Sequence, residues 1–348
     1  MKLAMTINYS GDFKADVQRV QDLERAGLDL VWVPEAYSFD AISQVGYLAA
    51  KTSTINIGTG IINTFSRTAT AVAQTAAGCD FVSDGRFVLG LGASGPQVIE
   101  GFHGVAYDHP MPRIIDYINV CRMVWKREPV VYDGSVVKVP LPEGQGTGLG
   151  KALKLINHPK RSDIPIYWAS VMGKSVAATA RLADGWLPIF FDPTKYKDVW
   201  GADIDRGLAE RDPSLGPLQM SAGGVVAIGD EYAGEGANAI LDFIRPNYAL
   251  YIGGMGARGQ NFYTKICERY GYPAEALEIQ DLYLDGKKKE AAALVPRDML
   301  VNCNLVGSKD DIAERIAGFK EAGVTHLQVM PIAPDPLPVI EQLRDLIG

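Results

Sequence analysis

Two apolar runs decide the fold of this chain: INIGTGII at residues 55–62 and FVLGLGASGP at residues 87–96. Both are typical of buried strands, and both contain glycines or other small residues near their ends, as strand ends approached by a ligand often do. The alanine-rich segment between them, residues 70–81, predicts a helix packed closely on a sheet. Two parallel strands joined by a crossover helix place both small-residue ends on one edge, where α/β folds bind their ligands.

The same alternation of strands and helices continues along the chain. Further strands are predicted at residues 3–8, 30–34, 164–169, 185–189, 220–228 and 326–330, and further helices at residues 16–26, 41–50, 111–126, 174–183 and 308–322. With the two runs above, the strands number eight, which predicts a single α/β domain, a (β/α)8 TIM barrel, over residues 1–348. Two segments do not fit the repeat and are predicted as insertions. One is a hairpin at about residues 128–160 with Asp133-Gly134 at its turn, and the other is helical, at about residues 248–300.

Composition narrows the possible classes of function. The net charge of −7 argues against broad nucleic-acid binding, which requires a basic surface. No stretch approaches the ~20 apolar residues of a membrane span, and the amino terminus lacks a signal-peptide pattern. The four cysteines form no Cys-x-x-Cys pair, so reduced thiols in a cytoplasmic protein are predicted. The four histidines show no ligand spacing, and no metal site is predicted.

Two glycine motifs allow both a functional and a structural interpretation. Residues 90–95, GLGASG, match the dinucleotide pattern Gly-x-Gly-x-x-Gly, but that pattern opens a helix directly in the first βαβ unit, whereas here Pro96 interrupts it on the fourth strand. Residues 173–175, GKS, resemble the end of a phosphate loop whose first glycine is missing, because Trp168 stands there. Residues 169–173 still lie between a strand and a helix, where free N–H groups either bind a phosphate or form an ordinary helix cap.

Glu35 ends the second apolar strand, at the face where barrel enzymes place their catalytic groups. It is either a functional carboxylate or a structural acid that caps the next segment. Tyr37, two residues further on, is either a hydrogen-bond donor or an aromatic packed over the barrel mouth. The residues alone leave both pairs of alternatives open.

The assembled motifs resemble those of the bacterial luciferase-like barrel superfamily, in the branch that uses the deazaflavin coenzyme F420. The likeness runs nearly end to end. Its most telling portions are residues 32–35 (WVPE), 58–77, 85–104, 166–191 and 305–329. In addition, residues 144–149 and 251–263 resemble a mycobacterial-type subgroup named only as oxidoreductases.

The resemblance implies that an isoalloxazine-like ring lies at the carboxyl ends of the strands, against the end of strand three. Relatives have a non-proline cis peptide behind the ring, and the matching bond is Gly60-Ile61. The cofactor-binding residues implied in this way are Glu35, Gly60, Ile61, Ala93, Ser94, Gly95, Met172, Gly173 and Lys174. An acidic protein that binds an anionic coenzyme tail also needs local positive charge. The candidates for that charge are Arg67, Arg113, Lys174 and Arg258.

One departure from the relatives concerns the proton donor. Several relatives place a histidine directly after the strand-two acid, where this chain has Ala36. A donor therefore cannot be transferred from them. The candidate catalytic residues are Glu35, Tyr37 and His103, and the sequence does not choose among them.

The resemblance thus predicts a cytoplasmic, homodimeric oxidoreductase that transfers a hydride between F420 and an unidentified organic small molecule, without nucleic-acid or membrane partners. A 5-deazaflavin transfers hydride well and activates dioxygen poorly, which favours reduction or dehydrogenation over oxygenation. Two alternatives stay open. One is an FMN-dependent monooxygenase on the same fold, and the other is a cofactor-binding barrel without catalysis, since Ala36 leaves no obvious acid.

Overall fold

The computed structural model describes residues 1–8, 11–171 and 173–348, and its strands alternate with helices along the chain. The strands are β1 (Lys2–Thr6), β2 (Leu30–Val33), β3 (Asn56–Thr59), β4 (Ile62–Asn63), β5 (Phe87–Gly92), β6 (Tyr132–Asp133), β7 (Lys138–Val139), β8 (Ile166–Trp168), β9 (Gly185–Trp186), β10 (Gln219–Ile228), β11 (Leu305–Gly307) and β12 (His326–Pro331).

The α-helices are α1 (Phe13–Arg25), α2 (Ala41–Lys51), α3 (Ala69–Val82), α4 (Pro96–Gly101), α5 (Pro110–Trp125), α6 (Lys174–Leu182), α7 (Ala202–Ala209), α8 (Asn238–Ala249), α9 (Phe262–Arg269), α10 (Pro273–Leu284), α11 (Lys288–Ala293), α12 (Arg297–Asn302), α13 (Lys309–Glu321) and α14 (Leu337–Ile347). Two π-helical turns, Lys197–Gly201 and Leu250–Gly254, adjoin α7 and α8. None of the described helices is long and apolar enough to cross a lipid bilayer.

The strands close into an eight-stranded parallel barrel, which confirms the predicted fold class. Going round the barrel, β1 is followed by β2, β3, β5, β8, β9, β10 and β12, and β12 pairs again with β1. Strand β4 continues β3 and pairs with β5, so β3 and β4 together are counted as one of the eight barrel strands. Strand β11 lies outside this circuit, beside the second half of β10, where Val226 pairs with Leu305.

Local sequence explains where the helices begin. Ser308 caps α13: its side chain accepts from the N–H of Asp311, and the Asp311 carboxylate accepts from the N–H of Ser308. This reciprocal capping box confirms the predicted start of that helix. In α3, small alanines allow a close approach to α5, and Nε1 of Trp125 donates to the carbonyl of Ala73 at 2.9 Å.

The barrel interior is filled by large rings that face glycines. A Cβ on Gly58 would overlap the ring of Trp32, and a Cβ on Gly185 would overlap the ring of Tyr167. The Trp32 and Tyr167 rings meet edge to face with centroids 5.4 Å apart, and Tyr167 meets the His326 ring at 6.0 Å. The strand glycines at these positions therefore provide the space that two bulky side chains need inside the barrel.

The extra segments lie outside the barrel strands. The hairpin β6–β7 is fastened to α5, because the Asp116 carboxylate accepts hydrogen bonds from the N–H groups of Val136 and Val137 and from the Tyr132 hydroxyl, at 2.7 to 2.9 Å. Between β10 and β11 the chain forms α8 to α12, and the first of these helices begins at Asn238, earlier than residue 248. The division of the chain into one domain with two insertions stays a prediction.

We expect Gly90→Ala to lower the free energy of unfolding by about 3 kcal/mol or more. A Cβ at position 90 would overlap the carbonyl oxygen of Thr59, which is backbone and cannot rotate away. The matched control is Gly78→Ala, because Gly78 is an exposed α3 position with open space around it. That substitution is expected to stabilise the protein by about 0.5–1 kcal/mol. Urea unfolding measures both, and equal effects of the two would contradict the packing argument.

A second prediction concerns acid sensitivity. Burial, and then the charge of Lys2, lower the pKa of His326 to about 4. The unfolded chain, in which the histidine pKa is about 6.5, binds this proton more tightly, so stability is lost as the pH falls from about 6.5 towards 4. Between pH 7 and pH 5 this group should cost about 2 kcal/mol. His326→Gln should remove that part of the loss in urea titrations at both pH values, whereas His109→Asn, at an exposed left-handed position, should keep it.

Candidate active site

The carboxyl ends of three neighbouring barrel strands, β3 with β4, β5 and β8, lie close together at Gly92. A Cβ on Gly92 would lie 2.7 Å from Cδ1 of Ile61, at the end of strand three, and 3.7 Å from Cβ of Ala169, after β8. The main chain joins the same three segments: the N–H of Thr64 donates to the carbonyl of Gly92 at 3.1 Å, and the N–H of Ala169 donates to the carbonyl of Leu91 at 2.9 Å. The predicted loops after strands three, four and five are thus brought together.

The end of strand three carries the feature implied by the resemblance. The peptide bond between Gly60 and Ile61 is cis. The N–H of Gly60 donates to the carbonyl of Val33 at 2.8 Å, and the Thr59 hydroxyl both accepts from the N–H of Gly90 and donates to the carbonyl of Gly90. These bonds hold this segment against β2 on one side and β5 on the other.

The loop after β5 corrects one inference about the glycine motif. Helix α4 begins at Pro96 directly after Gly95, so Pro96 starts a helix instead of interrupting one. The first two glycines of the motif are required for packing, because Gly90 and Gly92 lie against Thr59 and Ile61. Of the predicted loop residues, Ser94 has a left-handed φ of 57°, and Ala93 and Gly95 flank it.

The loop after β8 is held by two tryptophans. Nε1 of Trp186 donates to the carbonyl of Ser170 at 3.0 Å, and Nε1 of Trp200 donates to the carbonyl of Val171 at 2.7 Å. Gly173, with φ 57°, then precedes α6, which has no side-chain hydrogen bond at its cap. Lys174 is the first residue of α6 and is exposed. Met172, also predicted here, lies outside the described residues.

Both carboxylate oxygens of Glu35 are engaged by neighbouring groups. Nη1 and Nη2 of Arg67 lie 2.7 and 2.9 Å from Oε1 and Oε2, and the N–H of Ala41 donates to Oε2 at 2.9 Å. Only 7% of the Glu35 side chain is exposed. The arrangement matches the structural alternative, an acid that fixes the start of α2.

Arg67 links Glu35 to a second carboxylate. Its Nη2 lies 2.7 Å from Oδ1 of Asp40, and its carbonyl accepts from the Tyr117 hydroxyl at 2.5 Å. The hydrogen bond to Glu35 raises the pKa of Arg67, against the effect of burial. Burial tends to raise the pKa of Asp40, but the N–H of Ser43 and the charge of Arg67 lower it overall. We call Glu35, Arg67 and Asp40 the ion-pair cluster.

Tyr37 and His103 are brought together by Phe102. The Phe102 ring lies 6.3 Å from the Tyr37 ring and 5.2 Å from the His103 ring, measured between centroids. Tyr37 is 68% exposed. The buried Nε2 of His103 has no hydrogen-bond partner among the residues that the structure describes. Neither side chain is held as tightly as Glu35.

Three of the four candidate cations are already paired with carboxylates. Arg67 belongs to the ion-pair cluster, Arg113 lies 2.9 Å from Asp108, and Arg258 pairs with Asp281 and, at 3.3 Å, with Asp285. Lys174 forms no ion pair within the described ranges, 1–8, 11–171 and 173–348. It is therefore the candidate whose charge is left for a ligand.

Sequence reasoning missed an aromatic group above the same end of the barrel. The Tyr107 ring stacks on Phe65, after strand three, at 5.2 Å, and its hydroxyl donates to the carbonyl of Ser94 at 3.1 Å. Tyr251 and Tyr263 of the helical segment meet the Phe190 ring, in the loop after β9, with centroids 5.4 and 6.3 Å away. The sequence signal for the latter two was their position at the ends of the residue 251–263 segment. Tyr107 had none.

Comparisons with known proteins bear on the family and the fold of the chain. A sequence model of the luciferase-like monooxygenases matches residues 1–326. The chain belongs to the luciferase-like monooxygenase family. This membership agrees with the barrel fold, but it does not choose a coenzyme.

Individual relatives extend over nearly the whole chain. A Mycobacterium tuberculosis H37Rv protein named "Putative coenzyme F420-dependent oxidoreductase Rv3520c" is 37% identical over 351 residues, covering 99% of this chain and 98% of its own. A 5,10-methylenetetrahydromethanopterin reductase of Archaeoglobus fulgidus is 27% identical, with coverages of 90% and 88%. The solved coenzyme F420-dependent tetrahydromethanopterin reductase of Methanopyrus kandleri superposes with a TM-score of 0.79 over 98% of this chain and 96% of its own, at 21% identity, and supports the fold alone.

The ion-pair cluster generates a prediction. Arg67→Met leaves the buried Glu35 carboxylate with the N–H of Ala41 as its remaining described partner, so we expect a loss of about 3 kcal/mol of unfolding free energy at pH 7. Replacing both partners, in Glu35→Leu with Arg67→Met, should restore much of that loss. Asp40→Asn is the control, because Asp40 is half-exposed and should cost less than about 1 kcal/mol. Urea unfolding measures all three, and an unchanged Arg67→Met protein would contradict the assigned pairing.

Proposed function

We propose that the protein is a coenzyme F420-dependent oxidoreductase that transfers a hydride between the deazaflavin and an organic small molecule. The observation that carries this proposal is the convergence of three strand ends at Gly92, in a chain that is 37% identical over its length to a relative named for F420. Other relatives, named 5,10-methylenetetrahydromethanopterin reductases, support an oxidoreductase function further.

The residues at this convergence fit such a coenzyme. Gly60, Ala93 and Gly95 present small side chains or none, which leaves room for a planar ring at the strand ends. The start of α6, with Gly173 and no side-chain cap, suits an anionic group, and Lys174 adds a positive charge. When bound, F420 would supply the hydride chemistry. The chain would supply position, electrostatics and exclusion of water.

The protein groups near this site would take different roles. Glu35 is assigned as a positioning residue, because Arg67 and the N–H of Ala41 occupy its oxygens and fix the loop after β2. Tyr37 and His103 remain the candidates for proton transfer, since neither is locked in an ion pair. The homodimer and the cytoplasmic location stay predictions.

The second candidate is an FMN-dependent monooxygenase, which the family's own description favours. Both coenzymes carry a tricyclic ring and a phosphate, so the same loops would serve either. A cofactor-binding barrel without catalysis is distinguished by its lack of turnover.

Fluorescence titrations of the purified protein with oxidised F420 and with FMN test the proposal. We expect micromolar or tighter binding of F420 and much weaker binding of FMN. Lys174→Met should weaken F420 binding about tenfold, because one charge-assisted contact is lost. Lys309→Met is the matched control, since Lys309 is the exposed first residue of α13, and it should bind F420 as the wild type does.

The other outcomes separate the alternatives. Preference for FMN, with oxygen-dependent turnover, would overturn the proposal in favour of a monooxygenase. Tight F420 binding with no hydride transfer from reduced F420 across a broad substrate panel would indicate a barrel without catalysis. Binding of neither coenzyme would contradict all three.

A further inference from the structure

The helical segment after β10 places two tyrosines side by side. Tyr251 belongs to the π-helical turn after α8, and Tyr263 belongs to α9. Their rings meet edge to face at 5.0 Å, and both meet Phe190, in the loop after β9, with centroids 5.4 and 6.3 Å away. The pair is therefore connected to a loop at the carboxyl end of the barrel.

The main chain beneath this pair is firmly held. Nδ2 of Asn261 donates to the carbonyls of Tyr251 and Ile252 at 2.8 and 2.9 Å, and the Thr264 hydroxyl donates to the carbonyl of Ile252 at 2.5 Å. Asn261 also caps α9, because its Oδ1 accepts from the N–H of Tyr263. The two rings thus have fixed positions.

The hydroxyl groups of these two tyrosines, in contrast, are hydrogen-bonded by none of the residues that the structure describes. Neither the Tyr251 nor the Tyr263 hydroxyl forms a hydrogen bond within the described part of the chain, although both side chains are largely buried. Burial, and then the nearby Tyr251 and Tyr107 hydroxyls, raise the pKa of Tyr263, and burial raises the pKa of Tyr251. At neutral pH both are therefore uncharged donors.

Tyr107 lies between α4 and α5 and contacts the loop after β5. Its hydroxyl reaches the carbonyl of Ser94, in the loop predicted beside the coenzyme ring, and its ring lies on Phe65. The guanidinium of Arg113 also lies over the Phe65 ring, 4.5 Å from its centroid. The charge of Arg113 is paired with Asp108. We call Tyr251 and Tyr263 the tyrosine wall.

We propose that the tyrosine wall binds the substrate, and that the substrate is an uncharged, planar ring compound with a carbonyl or hydroxyl oxygen. This inference rests on the proposed function. Aromatic faces and edges provide the contact area for a planar ring. The unpartnered hydroxyls of Tyr251 and Tyr263 hydrogen-bond its oxygen, and a site built this way rejects analogues that lack the oxygen. An ionic substrate finds no unpaired charge on this wall.

The test measures binding directly, by ligand-observed NMR, with and without F420. The probes are 1-tetralone, tetralin, which lacks the oxygen, and cyclohexanone, which lacks the aromatic face. We expect 1-tetralone to bind more tightly than either analogue. Tyr251→Phe and Tyr263→Phe should each weaken 1-tetralone binding about fivefold and leave tetralin binding unchanged. Tyr47→Phe is the control, because Tyr47 carries an unpartnered hydroxyl on α2, outside the barrel.

Each outcome decides the proposal. Equal affinity of the wild type and both phenylalanine variants for 1-tetralone would overturn it and leave the tyrosines a packing role, as would a wild type that binds none of the probes. Thermal melts confirm that the variants are folded. Hydroxyl-dependent binding of 1-tetralone by a protein that fails to bind F420 would support the wall while refuting the coenzyme assignment, so the two proposals fail separately.

Discussion

The close approach of strand three to strand four is the constraint on which the candidate site depends. The Thr59 carbonyl and the Ile61 side chain occupy the volume that a Cβ would need at positions 90 and 92. Glycine at both positions therefore allows the strand-three turn to lie against β5, and the Thr59 hydroxyl fixes the register through two hydrogen bonds. Because Ala169 follows on the other side of Gly92, one backbone contact positions three loops at once.

The positive charges near the carboxyl end of the barrel are mostly paired with carboxylates. The chain is acidic overall, and Arg67 belongs to the ion-pair cluster while Arg113 pairs with Asp108. Such ion pairs hold loops in place, because removing one partner leaves the other charge without compensation. A charge that is already paired attracts an ionic ligand only weakly. The start of α6 combines the charge of Lys174 with the positive end of the helix dipole, and it is there that we propose an anionic coenzyme tail binds.

Sequence reasoning succeeded where the information is local. Strand alternation, the alanines of α3 and the Ser308 cap each reflect the residues of a single element, and the structure has all of them. The cis bond at Gly60-Ile61 came from the resemblance, since no local pattern specifies it. The pairing of Glu35 with Arg67 joins residues 32 positions apart, and Phe190 meets Tyr263 only through the folded barrel. Contacts of that kind depend on tertiary structure, which periodicity and propensity do not encode.

The two parts of the candidate site, the junction at Gly92 and the tyrosine wall, consist of different kinds of residue. The junction at Gly92 is made of backbone and small residues, so it offers few side chains that substitution can vary without breaking the barrel. Tyr251 and Tyr263 stand on a segment that lies outside the barrel strands and is anchored by its own hydrogen bonds. In the role that we propose for these tyrosines, a change of ring or hydroxyl there would alter substrate contacts while leaving the junction intact. On that proposal, the tyrosine wall sets the chemistry of the substrate and the barrel strands do not.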